Sequence, residues 1–276
     1  MQPTVAEVNS VIEQLWPLSG AEAWDAPGLI AGDPAAGVSS IHLAVDAVID
    51  TVDEAIELGA DMLLVHHPLL MRGVTSVAGT GYKGSVLARL IRADCALVAA
   101  HTNADVVDEG TSAVFASLLG LADARPITAN GIGRVGTLAA PTTLGALATL
   151  LGEVLPATAG GIRVSGEFDA PVTTVALCGG AGDSLLSEPA VLAADVYITS
   201  DLRHHPASEA RENARVAGGP ALIDVAHWAS EWLWLDAAAT QLRNALPDVT
   251  VTVSDLRTDP WDFVVVQNNR VEKVWR

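Results

Sequence analysis

"DMLLVHHPLL", residues 61–70, runs an apolar stretch straight into two adjacent histidines and a proline, and reads as a buried strand with His66 and His67 at its mouth. Similar runs recur at "IHLAV" (41–45), "ALVAA" (96–100), "TTVALC" (173–178), "DVYIT" (195–199) and "ALIDV" (221–225). Between them lie segments with apolar residues three and four apart: "VIDTVDEAIELG" ending on a glycine stop, "GSVLARLIRA" and "GTSAVFASLLG". Near-continuous apolar strands alternating with amphipathic helices predict an α/β fold whose sheets are largely parallel and covered on both faces.

The pattern occurs twice. "IHLAVDA", "ADMLLVHHP" and "ALVAAHT" in the first half are echoed by "TTVALCGGAGD", "ADVYITSDLRHHP" and "ALIDVAHW" in the second, each strand followed by a helix. This predicts two related βαβαβα-type lobes, residues 1–127 and 128–276. The second would open with an extra β-α-β piece carrying "GRVGTLAA", the helix "TLGALATLLGEVL" and "GIRVSG". No Ser/Pro-rich tether separates the halves, so the lobes are expected to pack closely. After residue 240 a helix end, a turn at Pro247 and a final alternating strand are expected.

Composition narrows the function. Half of the 276 residues are hydrophobic and only 17% are charged, so long disorder is not expected. Fifteen Lys and Arg against 33 Asp and Glu give a formal charge of −18, which leaves no extended basic footprint for nucleic acid or anionic lipid. Cys95 and Cys178 sit in or beside apolar strands and read as core residues rather than a disulfide or a cysteine knuckle. The N-terminus lacks the basic and apolar regions of a secretory signal, and no run of eighteen apolar residues occurs; a soluble cytoplasmic protein is the expectation.

Six of the seven histidines, His66, His67, His101, His204, His205 and His227, fall at or just past predicted strand ends, the edge where open parallel sheets bind ligands. Adjacent histidines suit two metal ions better than one. In "AHTNAD", residues 100–105, His101 is followed by Asp105, a hard anionic ligand, with Thr102 and Asn103 placed to orient it; helix capping is the alternative. In "DVAHWASEWLWL", residues 224–235, His227 and Glu231 stand one helical turn apart on a common face, where Glu231 could bridge two ions. A first-turn glutamate favoured by the helix dipole, with Ser230 as cap, is the bland reading.

Three imidazoles and two carboxylates, His66, His67, His227, Asp105 and Glu231, suit two divalent ions of Zn, Fe or Mn. Two ions on the order of 3.5–4 Å apart activate a shared water and clamp a phosphate or carbonyl oxygen, so the natural chemistry is hydrolytic. In "TSDLRHH", residues 199–205, Asp201, His204 and His205 are candidates for substrate contact or proton transfer and Arg203 for an anion; Asp201 as a helix cap is the equal alternative. "GGAGD", residues 179–183, is either a phosphate cradle without its lysine or a tight turn needing small residues. Asp25 could face the cleft, although Trp24 as a packing anchor explains its surroundings, and Trp228 with Trp232 reads as core or interface.

Taken in order, "WDAPGLIAGDP", "DMLLVHHPLL", "AHTNAD", "GRVGTL", "VALCGGAGD", "DVYITSDLRHH", "DVAHWASE" and "TDPWDF" resemble the Nif-three-like family, also called the GTP cyclohydrolase I type 2 family. The resemblance implies a two-lobed α/β fold with a dinuclear metal site between the lobes and a toroidal homohexamer. It implies that His67 and Asp105 hold one ion and His66 and His227 the other, that Glu231 bridges, and that His101 is an additional site histidine for orienting a ligand or moving a proton; His204, from its place in "TSDLRHH", is the other candidate for proton transfer. A nucleotide or other phosphorylated small molecule is the implied substrate; a non-catalytic metal-binding or interaction-platform role is the alternative. The chain departs from the family pattern at Ala226 and Trp228 beside His227 and at Ser200 in "TSD", next to the ligands rather than at them.

Overall fold

The computed structural model describes residues 2–266. Strands β1 (Gly28–Ala31), β2 (Ser40–Ala44), β3 (Met62–Val65) and β4 (Ala96–Ala99) precede β5 (Ala122–Arg125), β6 (Arg134–Thr143), β7 (Arg163–Ser165) and β8 (Pro171–Ala181). They are followed by β9 (Val196–Ser200), β10 (Ala221–Val225) and β11 (Thr250–Val253). Two mixed sheets result. The first has the order β1-β4-β3-β2-β11, the second β5-β6-β8-β9-β10-β7.

Each sheet is built on three consecutive parallel strands, β2-β3-β4 and β8-β9-β10, joined through helical crossovers. The third strand of each trio carries a short antiparallel neighbour, β1 beside β4 and β7 beside β10. The chain does not keep its halves apart: β11, after the last helix, returns to lie parallel to β2 with Thr250 opposite Ser40.

Why these segments are strands follows from burial on both sides. Alternate residues of β3 face opposite layers. Met62 and Leu64 join a large core shared by both sheets, which also takes Ile41, Leu43 and Val98 from the first, Val175, Ile198 and Ile223 from the second, and the helices between them. Leu63 and Val65 face the other way, onto the helices Ile49–Glu57 and Tyr82–Arg92. The second sheet has a matching outer layer with Ala176, Cys178, Tyr197 and Leu222. Trp16 and Trp234 are almost fully buried in the shared core and meet edge to face at 5.1 Å, a contact worth about 1 kcal/mol beyond its area. The helix Val5–Leu15 that brings Trp16 there begins with a capping box between Thr4 and Glu7.

Two strands stand outside that pattern, β5 with its charged residues and β1, apolar but only four residues long and flanked by glycine. β5 is exposed at all four positions, and β1 lies in a stretch read as turn residues; both are short edge strands held by neighbours rather than by their own pattern. Cys95 and Cys178 are free and buried, as expected of core residues. Among the described residues no helix is long and apolar enough to cross a membrane.

Candidate metal centre

The residue two places past the end of β2, β3, β4 and β10 is Asp46, His67, His101 and His227 in turn. There the backbone has left the ladder, and these side chains meet at the edge shared by the two sheets. His66, fully buried, donates from Nδ1 to the carbonyl of Ala100 at 2.8 Å. His67 donates from Nδ1 to Asp46 Oδ1 at 2.7 Å, His227 to Asp201 Oδ2 at 2.9 Å, and His101 to Asp25 Oδ1 at 2.8 Å. With every Nδ1 proton committed to an oxygen behind it, each ring keeps the Nε2 lone pair for what lies in front, the arrangement that fixes metal-ligating histidines.

In front lies Glu231. Its carboxylate is 2.9 Å from His227 Nε2 through Oε1 and 2.9 Å from His67 Nε2 through Oε2. His66 Nε2 stands 3.5 Å from Oε1 of Glu231 and 3.7 Å from Asp105 Oδ1. His67 and His227 face each other at 3.3 Å, nitrogen to nitrogen. The His101 ring is edge-on to both His66 and His67, with centroids 5.1 and 5.5 Å away. Buried His66 Nε2 has no hydrogen-bond partner, and buried Glu231 Oε2 has only its ion-pair contact with His67. Buried polar atoms are rarely left so, and a cation between them would satisfy both. Among the described residues two sets lie close enough to hold an ion: His66, His67 and His101, and His67, His227 and Glu231.

Electrostatics point the same way. Burial opposes charging His67 and His227, yet the carboxylates of Glu231 with Asp46 or Asp201 overcome it and raise the two imidazoles to about 10 and about 11. Burial also opposes ionised Glu231, but His227, His67 and His66 hold it well below the usual carboxylate range. Burial pushes Asp105 up. Asp25 resists burial through its bonds from His101 and Thr102 and falls to about 2. The cluster thus draws positive charge toward a buried carboxylate, and in the absence of an ion protons supply it.

Local sequence explains the placement. Asp105 closes the one-turn helix Thr102–Asp105, four residues after His101, and accepts a bond from Thr111 Oγ1 at 2.5 Å. Asn103 is buried, accepting from the His101 amide at 2.9 Å and donating to the Trp16 carbonyl at 2.7 Å, so it holds the loop. Glu231 lies one turn into the helix His227–Trp232. Ser230 does not cap this helix: it accepts from the Gly180 amide at 2.9 Å and donates to the His227 carbonyl at 2.8 Å.

The "GGAGD" stretch is the end of β8, where the register against β9 slips. Gly180 there has φ +73°, and a Cβ on it would sit 2.3 Å from Glu231 Oε1. The glycine gives the carboxylate its room. Asp201, directly after β9, also takes a left-handed conformation (φ 56°) to reach His227, so it is no helix cap.

His204 and His205 stand elsewhere. They open the exposed helix His204–Ala217, meet edge to face at 5.1 Å, and do not line the cavity of the cluster. Arg203 is taken up by Asp183 at 2.6 Å. Sequence reasoning missed Asp46, which holds His67, and Thr258, whose hydroxyl donates to Asp46 from the C-terminal segment. The resemblance groups His67 with Asp105 and His66 with His227; the close contacts here instead set His66 beside Asp105 and His67 beside His227, with Glu231 between. The cluster opens into a cavity of about 1200 Å³ walled by both sheets' loops and by the C-terminal segment.

Residues 3–260 match the family described as Duf34/NIF3 (NGG1p interacting factor 3). A Streptomyces coelicolor protein named GTP cyclohydrolase 1 type 2 homolog is 46% identical over 271 residues, covering 94% of each chain. The crystal structure of a Staphylococcus aureus hypothetical protein, SA1388, superposes with a TM-score of 0.85 at 26% identity over 96% of this chain and 100% of that one. A Bacillus cereus protein related to NIF3 gives 0.87 at 23% identity, likewise over 96% and 100%, and so shares the fold. The order of the motifs, the paired sheets and a match spanning nearly the whole chain agree: this protein belongs to the DUF34/NIF3 family.

Proposed function

We propose that this chain binds two divalent metal ions and uses them to hydrolyse a nucleotide-like small molecule, as a cytoplasmic homohexamer. One observation carries the reading: three carboxylates and one carbonyl fix four imidazoles at one edge, three of them with Nε2 within 3.5 Å of the buried Glu231 carboxylate, and His66 Nε2 is left without a hydrogen-bond partner. His66, His67, His227, Asp105 and Glu231 would hold the ions, Zn, Fe or Mn by their donor set, with Glu231 between them. When bound, such a pair supplies Lewis acidity and a water acidified into the neutral range. His101, oriented by Asp25 and 12% exposed, is the chain's own group for moving a proton at the cavity wall. Uptake at neutral pH has to displace the protons on His67 and His227.

The substrate class rests on the names of the relatives and on the room in the cavity. The hexamer rests on resemblance, supported by the largely exposed apolar side chains of Trp261, Phe263, Val264, Val265 and Val266 at the end of the described chain, a patch that calls for a cover. The same patch favours a second reading, an interaction platform without turnover.

Elemental analysis of tag-free protein tests the first step: two ions per chain in the wild type, with Glu231→Ala losing most of both. Turnover of GTP and related nucleotides that chelation abolishes would support the hydrolase. Full metal content with no turnover across the nucleotide series would leave the platform, and unchanged metal in Glu231→Ala would sink the site.

A further inference from the structure

The cavity in front of the cluster is walled by acid. Glu22, Asp46, Asp201, Asp224 and Asp259 line it in addition to Asp105 and Glu231, and Arg163 is the one Lys or Arg side chain of the described residues that does so. Arg163 is already paired with Asp224. Two divalent ions and one guanidinium against seven carboxylates leave the wall negative, and a triphosphate would bring about four further negative charges into it. No lysine or unpaired arginine of the described wall is there to receive them; "GGAGD" is spent on Glu231 and Asp183 on Arg203, and the Gly160–Gly161 pair that also lines the cavity brings no cation but the paired Arg163.

What the wall does offer is aromatic surface and acceptors. Trp24 lines the cavity with 59% of its surface exposed, beside the His101 ring at 5.8 Å, and is therefore next to the cluster yet not part of the core. That corrects its reading as a packing anchor. Trp261 and Met71 line the same space. Ionised carboxylates only accept hydrogen bonds, and Asp259 Oδ2 is a buried acceptor without a donor in this wall. A flat ring bearing N–H donors matches both features; a polyanion matches neither.

We propose that the cavity reads the heterocyclic end of its ligand, an amino-bearing planar heteroaromatic ring stacked on Trp24, and makes no dedicated contact with a polyphosphate tail. The substrate class is then nucleoside-like, with phosphates tolerated rather than required. The proposal rests on the metal-site reading above but not on catalysis, so it is tested by binding.

Calorimetric titration of zinc-loaded, tag-free protein with guanosine, GMP, GTP and inorganic triphosphate, with metal content checked after each run, decides it. Guanosine is expected to bind within about threefold of GTP or more tightly, and triphosphate alone not to compete with it. Trp24→Ala should weaken guanosine tenfold or more at unchanged metal content, and Trp24→Phe should restore most of the loss. Affinity that climbs tenfold or more from guanosine to GTP, triphosphate binding as tightly as GTP, indifference to Trp24→Ala, or no binding of any probe to metal-loaded protein would each overturn it. Guanosine that binds through Trp24 and is never hydrolysed would instead end the hydrolase reading and leave this one standing.

Discussion

The chain spells "HHP" twice, after β3 and after β9, and puts only the first pair in the site. His66 follows Val65 directly, so the two rings are delivered at the strand end, one fully buried and one against Glu231. After Ser200 three residues intervene, Asp201 to Arg203, and by His204 the chain has moved out to the start of an exposed helix. Asp201 takes the position beside the strand end and serves as the acceptor behind His227. The third strands tell the opposite story. Past β4 and past β10 the chain places a histidine two residues on and a carboxylate four residues after that, His101 with Asp105 and His227 with Glu231. Identical letters diverged there in role, while unlike letters, "AHTNAD" and "AHWASE", kept one geometry. Distance from the strand end, more than residue identity, decides which side chains reach the edge.

The sharpest way to break this comparison is at Gly180, which makes room for the Glu231 carboxylate, whereas Gly110 beside Asp105 faces backbone and not the carboxylate. Gly180→Ala should cost most of the bound metal, a hundredfold or more in affinity, because its methyl group would occupy the place of Glu231 Oε1. The strain of a non-glycine residue at φ +73° should also lower thermal stability by roughly 1–3 kcal/mol. Metal affinity measured by competition with a chromophoric chelator at wild-type level in a folded Gly180→Ala protein would show that Glu231 does not need this room.

A milder test compares the two acceptors that stand behind the paired histidines. Asp201→Asn should reduce metal affinity by about ten- to a hundredfold, since the imidazole of His227 loses the carboxylate that fixes its tautomer. The smallest effect belongs to the second "HHP". His204→Ala together with His205→Ala should leave metal content unchanged and shift stability by no more than about 0.5 kcal/mol by thermal melt, as suits an exposed helix start. A loss of metal in that double variant would restore the symmetry that the structure denies.

Most of this was legible in the chain itself. Strands buried on both faces, such as Met62–Val65, advertise themselves as unbroken apolar runs; three of the five proposed ligands stand at their ends and the other two on the helical turns that follow. What was not legible acts across space. Asp46 lies 21 residues before His67, in a loop whose only signal is that it falls two places past a strand, as His67, His101 and His227 do. That shared offset would have found it. Gly180 could be seen to be a glycine, but not that a carboxylate from 51 positions later would press against it. The distinction between the two histidine pairs also escaped, because it turns on where β9 stops, and strand ends are the least certain part of any reading.

β11 pairs with β2, and a few residues later Thr258 donates to the Asp46 that holds His67. In order of synthesis, the N-terminal half emerges with its histidines in hand but lacks the outer strand of its own sheet and the hydroxyl behind its Asp46. Pairings spanning about 210 residues form late and slowly. The centre is therefore closed by a segment made 212 residues after the Asp46 it supports, and a half-made chain presents loose histidines rather than a finished cluster.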